Sequence, residues 1–113
     1  MTDYYSMSDN ELCERISTKR EPKPETPPKK FSDCLDNKSW RWSPFEQDKG
    51  WRPINWLSWE NAGSLLEEIA PIQIMRHPNG KYTFDVLRGI ERIKIISSSF
   101  GRGICEAWLS VNS

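Results

Sequence analysis

Residues Ile72–Ile96, IQIMRHPNGKYTFDVLRGIERIKII, decide the fold. Ile72 and Ile74 alternate with Gln73 and Met75, which places the two isoleucines on one face of an extended strand. His77-Pro78-Asn79-Gly80 follows, and Asn-Gly suits the two φ > 0 positions of a type I′ hairpin turn. From Lys81 to Leu87, Tyr82, Phe84 and Val86 alternate with Thr83 and Asp85. Arg88-Gly89-Ile90 reads as a second turn. Beyond it Ile93 and Ile95 share a face, with Arg92 and Lys94 opposite. Two short turns between three alternating runs predict a three-stranded antiparallel β-meander.

The meander needs a partner for its apolar face, and helical periodicity flanks it on both sides. Ser58 opens a helix over 58–70, ended by Pro71, with Trp59, Ala62, Leu65, Leu66 and Ile69 on one stripe. Gly63 inside it costs about 1 kcal/mol relative to alanine, which suggests a close neighbour over it. After the meander, Ser98 or Ser99 caps a helix reaching about Val111, with Phe100, Ile104, Ala107, Trp108 and Val111 as its stripe. The fold class is therefore α+β: a three-stranded antiparallel meander packed by two or three helices around an α-β-β-β-α core spanning 40–113.

The N-terminal third is different in kind. Residues 8–17 predict a short helix, with Ser8 and Glu11 at capping-box spacing and Leu12 and Ile16 on one face. Residues 18–39 read as a linker. Its first part, TKREPKPETPPKK, holds four prolines in seven positions (Pro22, Pro24, Pro27, Pro28), which favours extended chain. The P-x-x-P spacing at Pro24 and Pro27 also matches an SH3-type ligand, but a stiff solvated spacer is the expected role.

Trp40, Trp42, Phe45, Trp51, Trp56 and Trp59 crowd into twenty residues, interleaved with Arg41, Lys49 and Arg52. Large rings of this kind fill the core of a small domain, each burying about 150–250 Å². Aromatic residues beside arginine also anchor protein partners or stack on bases. Trp40, Arg41, Trp42, Trp51 and Arg52 are accordingly candidate binding residues. Arg88, Arg92 and Lys94 of the meander join them, as a basic patch if no helix covers their face.

Composition bounds the rest. The 113 residues carry sixteen basic and sixteen acidic side chains, so the net charge is +0, and mean hydropathy is −0.73. Neither a global basic nor a global acidic excess is present. Residues 1–70 carry a net −3 and residues 71–113 a net +3, which permits an acidic partner surface near the C-terminal half. Apolar runs stay far below the roughly 20 residues of a membrane span, and the N-terminus lacks the pattern of a signal peptide. Three widely spaced cysteines, Cys13, Cys34 and Cys105, fit a reducing cytoplasm better than a disulfide framework.

No catalytic pattern emerges. His77, the only histidine, has no orienting carboxylate in its neighbourhood, and a nucleophile pair with Cys105 lacks local support. A zinc site from Cys13, Cys34, Cys105 and His77 would draw on four distant segments without paired ligand spacing. Ser97–Gly103 opens a helix with small residues and Arg102, which suits an anion at a helix N-terminus. It is not a P-loop, and glycines that permit close packing explain it better. The expectation is a protein that is not an enzyme and uses no cofactor or metal.

Several of these stretches together resemble the phage ABA-sandwich domain family, small proteins of bacteriophages and prophages. The stretches are WRWSPFEQ (40–47), LSWENAGSLLEEI (57–69), IQIMRHPNGKYTFDV (72–86) and GRGICEAWLSV (101–111), with SDNELCERIS (8–17) similar to the short first helix of many members. The resemblance covers about 40–113 plus that helix. It implies helices on both sides of a sheet, an α/β/α sandwich in which the first helix covers the second face. It further implies a phage or prophage accessory protein in the host bacterial cytoplasm, binding a host or phage protein, for instance to block a defence. The alternative is a nucleic-acid-binding module that uses the basic sheet face and exposed tryptophans. No membrane partner is expected, and the oligomeric state is left open.

Overall fold

The computed structural model describes residues 4–28, 39–47, 49–69 and 71–112. Among them the chain is α+β, with three α-helices and two antiparallel sheets of two and three strands. A 3₁₀ turn at Tyr4–Ser6 leads to α1 (Asp9–Arg20). Then come β1 (Trp40–Ser43), β2 (Gly50–Pro53), α2 (Trp59–Glu68), β3 (Ile72–Arg76), β4 (Tyr82–Arg88), β5 (Glu91–Ser97) and α3 (Phe100–Asn112).

The larger sheet has the order β3-β4-β5. Its register aligns Ile72, Val86 and Ile93 in one row and Ile74, Phe84 and Ile95 in the next. These rows form the inner face, with Phe84 and Val86 fully buried. The first turn departs from the type I′ geometry that Asn-Gly suggests. Only Gly80 of this turn has positive φ (+85°), and among the described residues none other than glycine does. Pro78 holds its φ near −65°, which suits the second position of a type I turn. The Gly80 amide accordingly donates to the His77 carbonyl at 3.0 Å, and the His77 amide donates to Lys81 at 2.8 Å. The result is a three-residue loop closed by a left-handed glycine. At the second turn Gly89, at φ +63°, takes the first central position of a two-residue loop.

Helix α3 is the centre of the molecule. It packs on β4 and β5, on α2, on α1 and on the 3₁₀ turn. Residues Gly103–Leu109 are therefore buried in an unbroken run, where periodicity alone predicted a single stripe. Gly101 and Gly103 allow that depth. A Cβ on Gly101 would lie 2.1 Å from the Leu57 carbonyl oxygen, and one on Gly103 would lie 2.0 Å from the Phe84 ring. Gly63 has no such reason, because a Cβ there would meet open space. Trp59 also leaves the expected stripe. In the first turn of α2 the residue is 76 % exposed, and its ring stacks on Phe100, with centroids 4.8 Å apart.

Helix α1 begins as the sequence suggests, with Ser8 Oγ accepting from the Glu11 amide at 3.2 Å. It continues to Arg20, so Thr18, Lys19 and Arg20 are helical rather than linker. Proline restricts itself and the residue before it. Glu21, just ahead of Pro22, is extended (φ −148°, ψ 138°), and nothing breaks the helix earlier. Leu12, Cys13, Ile16 and Ser17 are its buried side, and it rests on α3 and β2. It does not cross the second face of the meander as a sandwich of helices around one sheet requires.

Residues 40–53 hold an element that the density of aromatics conceals. Trp40, Arg41, Trp42 and Ser43 pair antiparallel with Pro53, Arg52, Trp51 and Gly50. Its sequence signal is the period-2 alternation of Trp40 and Trp42 in β1, with Trp51 directly across from Trp42.

Candidate binding surface

The outer face of the meander follows from the same register. Met75, Thr83 and Ile96 form one cross-strand row, and Gln73, Asp85 and Lys94 the next, with Leu87 opposite Arg92 beyond. Met75, Leu87 and Ile96 are 54 %, 51 % and 51 % exposed, and Ile90 at the tip of the second turn is fully exposed. Among the described residues no helix lies over these side chains.

The rows enclose a shallow hollow of about 240 Å³ between Gln73, Met75, His77, Thr83, Asp85, Arg92 and Lys94. Its floor is ordered by two polar contacts. His77 Nε2 lies 2.6 Å from Thr83 Oγ1. Arg92 Nε lies 3.4 Å from Asp85 Oδ1. Arg92 is largely exposed in that pair, so its worth to stability is small, about 0–1 kcal/mol. Asp85 offsets part of the positive charge of Arg92 and Lys94. The face is thus mixed, apolar and ionic, rather than a uniform basic stripe.

The other candidate residues lie elsewhere. Trp40 is 1 % and Trp51 is 8 % exposed, and both rings lie in the small hairpin, away from solvent. Trp42 is half-buried and packs edge-on against Trp51, with centroids 5.5 Å apart and planes at 74°. Arg41 and Arg52 sit directly opposite each other and are exposed. Arg88 pairs with Glu91 in register, but its side chain lies outside the described atoms. The structure therefore brings Arg92 and Lys94 together on one face and leaves the tryptophan–arginine group on another element.

The alternatives weighed from sequence are also placed. Cys105 is fully buried in α3, with its thiol 3.4 Å from the Trp56 carbonyl. Burial above all, with Cys13 and Glu106 adding, pushes that thiol far above its ordinary range. Burial also raises Cys13. His77 faces the outer hollow while Cys105 belongs to the core, so these two do not form a nucleophile pair. Cys34 lies outside the described residues. Among those described, no group of three His, Cys, Asp or Glu side chains is arranged to hold a metal ion.

At the start of α3, Ser99 Oγ accepts from the Arg102 amide at 3.3 Å. The Arg102 guanidinium turns away from the helix end and donates to the carbonyls of Tyr4, Tyr5 and Met7 and to Asp9. It fastens the N-terminal turn to α3 and is not aimed at an anion site.

Sequence reasoning passed over Met75, Leu87 and Ile96 as surface candidates. The signal that identifies them is an apolar residue at an off-phase position of each strand, beside the charged ones. No helix of the described residues is long and apolar enough to cross a membrane. No family model, curated protein or solved structure matches this chain.

Proposed function

We propose that the protein acts without catalysis, by binding another protein through the outer face of the meander. The observation that carries this reading is the exposed pair Met75 and Ile96 on either side of the buried Thr83, with exposed Leu87 on the same face and Asp85, Arg92 and Lys94 interleaved. Exposed aliphatic groups bind by losing water, and flanking charges set orientation and choice of partner. The resemblance noted in the sequence extends the proposal. It makes the partner a host or phage protein in a bacterial cytoplasm, with the chain as a phage or prophage accessory protein.

A second reading, a nucleic-acid-binding module, draws on the exposed Arg92 and Lys94. The Asp85 carboxylate beside Arg92 counts against it, since phosphate contact needs free positive charge.

The test is affinity capture from bacterial lysate by the tagged chain and by a Met75→Asp/Ile96→Asp variant, each with and without nuclease. Protein binding predicts one partner that survives nuclease and is lost with the variant. Recovery that vanishes with nuclease and falls steeply with salt would instead establish the nucleic-acid reading. A partner retained equally by both chains would remove the outer face from the proposal.

A further inference from the structure

The Pro-rich segment is not a free spacer. The Trp40 indole donates from Nε1 to the Glu21 carbonyl at 3.0 Å, and the Trp51 indole donates to the Thr26 carbonyl at 2.8 Å. The Lys23 ammonium stands 5.8 Å from the centre of the Trp40 ring. Residues 21–28, EPKPETPP, form neither helix nor strand and are exposed or half-buried throughout. Two indole donors on neighbouring strands therefore grip one irregular stretch of chain at carbonyls five residues apart.

We propose that the tryptophan face of the β1–β2 hairpin is a docking site for a proline-rich peptide of a partner protein, held by residues 21–28 of this chain until that partner displaces them. The seated occupant shows the chemistry. Both hydrogen bonds go to main-chain carbonyls, which every peptide carries, so the grip does not depend on the side chains of this segment. Proline is selected for a different reason. It keeps the chain extended before binding, which lowers the ordering cost, and aromatic-lined grooves recognise such chains. Trp42, packed edge-on against Trp51, stiffens the receiving side. The indoles lie under the segment, while its own side chains are exposed or half-buried, so it lies on the hairpin as a removable cover and is not part of the core. What keeps the segment seated is its tether to the end of α1, which gives it a high effective concentration. This inference concerns a different surface from the outer sheet face and does not rest on that reading.

The experiment is a titration of the full chain with a synthetic peptide of residues 20–28, followed by the indole N–H resonances of Trp40 and Trp51 and by the backbone amides. It is repeated on a variant carrying Pro22→Gly, Pro24→Gly, Pro27→Gly and Pro28→Gly, which keeps the carbonyls but loosens the internal competitor. The expected result is movement of both indoles in the variant, half-complete at a peptide concentration at least tenfold below that needed by the unaltered chain. Indoles that stay still in the variant up to millimolar peptide would overturn the proposal. So would equal potency of a peptide with every proline replaced by glycine. Shifts confined to Met75, Ile96 and their neighbours would also overturn it, while supporting the sheet face as the binding surface. Trp51→Phe in the four-glycine background removes one of the two donors and should raise the peptide concentration that half-shifts Trp40; if that chain does not fold, the titration of the four-glycine variant decides alone.

Discussion

The two antiparallel sheets among the described residues solve the same problem in opposite ways. Each has a face that cannot be left to water at no cost. The small β1–β2 hairpin gathers Trp40, Trp42 and Trp51 on one side and places that side against α1 and the Pro-rich segment. The β3–β4–β5 meander buries its inner rows under α3, while Met75, Leu87 and Ile96 stay open on its outer face. A two-stranded hairpin is marginal in water by itself, so it needs covering on the side it has. The meander already gains its stability from the inner face, and its outer face is free to serve another purpose.

The comparison breaks first at the inner rows. Phe84→Ala should cost about 3–5 kcal/mol in urea unfolding, because Phe84 is fully buried and touches the Gly103 site of α3. A loss below about 1 kcal/mol would mean that the meander does not depend on its inner face. A smaller effect tests how the hairpin end is tied to α1. The Ser17 hydroxyl donates to the Ser39 carbonyl at 2.7 Å and accepts from the Trp56 indole at 2.9 Å, all within the core. Ser17→Ala strips the Trp56 donor of that acceptor and should cost about 1–3 kcal/mol by the same measurement.

Gly63→Ala should raise stability by about 0.5–1 kcal/mol, since the added Cβ meets open space within a helix. Destabilisation there would mean that α2 is more tightly packed than its neighbours show. The smallest effect belongs to the outer face. Ile96→Ser should alter unfolding by no more than about 0.5 kcal/mol, as expected of an exposed position. The same substitution should weaken partner capture. A large loss of stability would mean that the outer face is part of the core and not a surface for binding.

The meander could be read from residues 72–96 because alternation with two glycine-bearing turns leaves few other structures open. The turn type could not, since Asn-Gly and Pro-Asn-Gly differ by one residue whose fixed φ decides the geometry. The helix over 58–70 was legible from its cap and stripe, yet Trp59 was misplaced. A ring in the first turn of a helix can stack outward on Phe100 as readily as inward. The β1–β2 hairpin stayed hidden because only four residues per strand alternate, and tryptophan at that density reads equally well as loop or core. Of the candidate surface, Arg92 and Lys94 were visible as a charged face, whereas Met75, Leu87 and Ile96, scattered singly at off-phase positions, gave no local signal of a shared surface.

By itself, the sequence determined the local structures: where helices start, where proline and glycine end them, and which side chains share a face. Those choices depend on neighbours a few residues away, through caps, turns and periodicity. Tertiary structure alone decided which faces are covered. Residues 103–109 of α3 are buried on all sides because α1 meets the helix from about ninety residues earlier, with Arg102 bound to Asp9 and to the carbonyls of Tyr4, Tyr5 and Met7. The Pro-rich segment becomes a strap because two indoles donate to its carbonyls across 19 and 25 residues of chain. No pattern within a short window records such pairings, since burial is a property of what arrives from far along the chain.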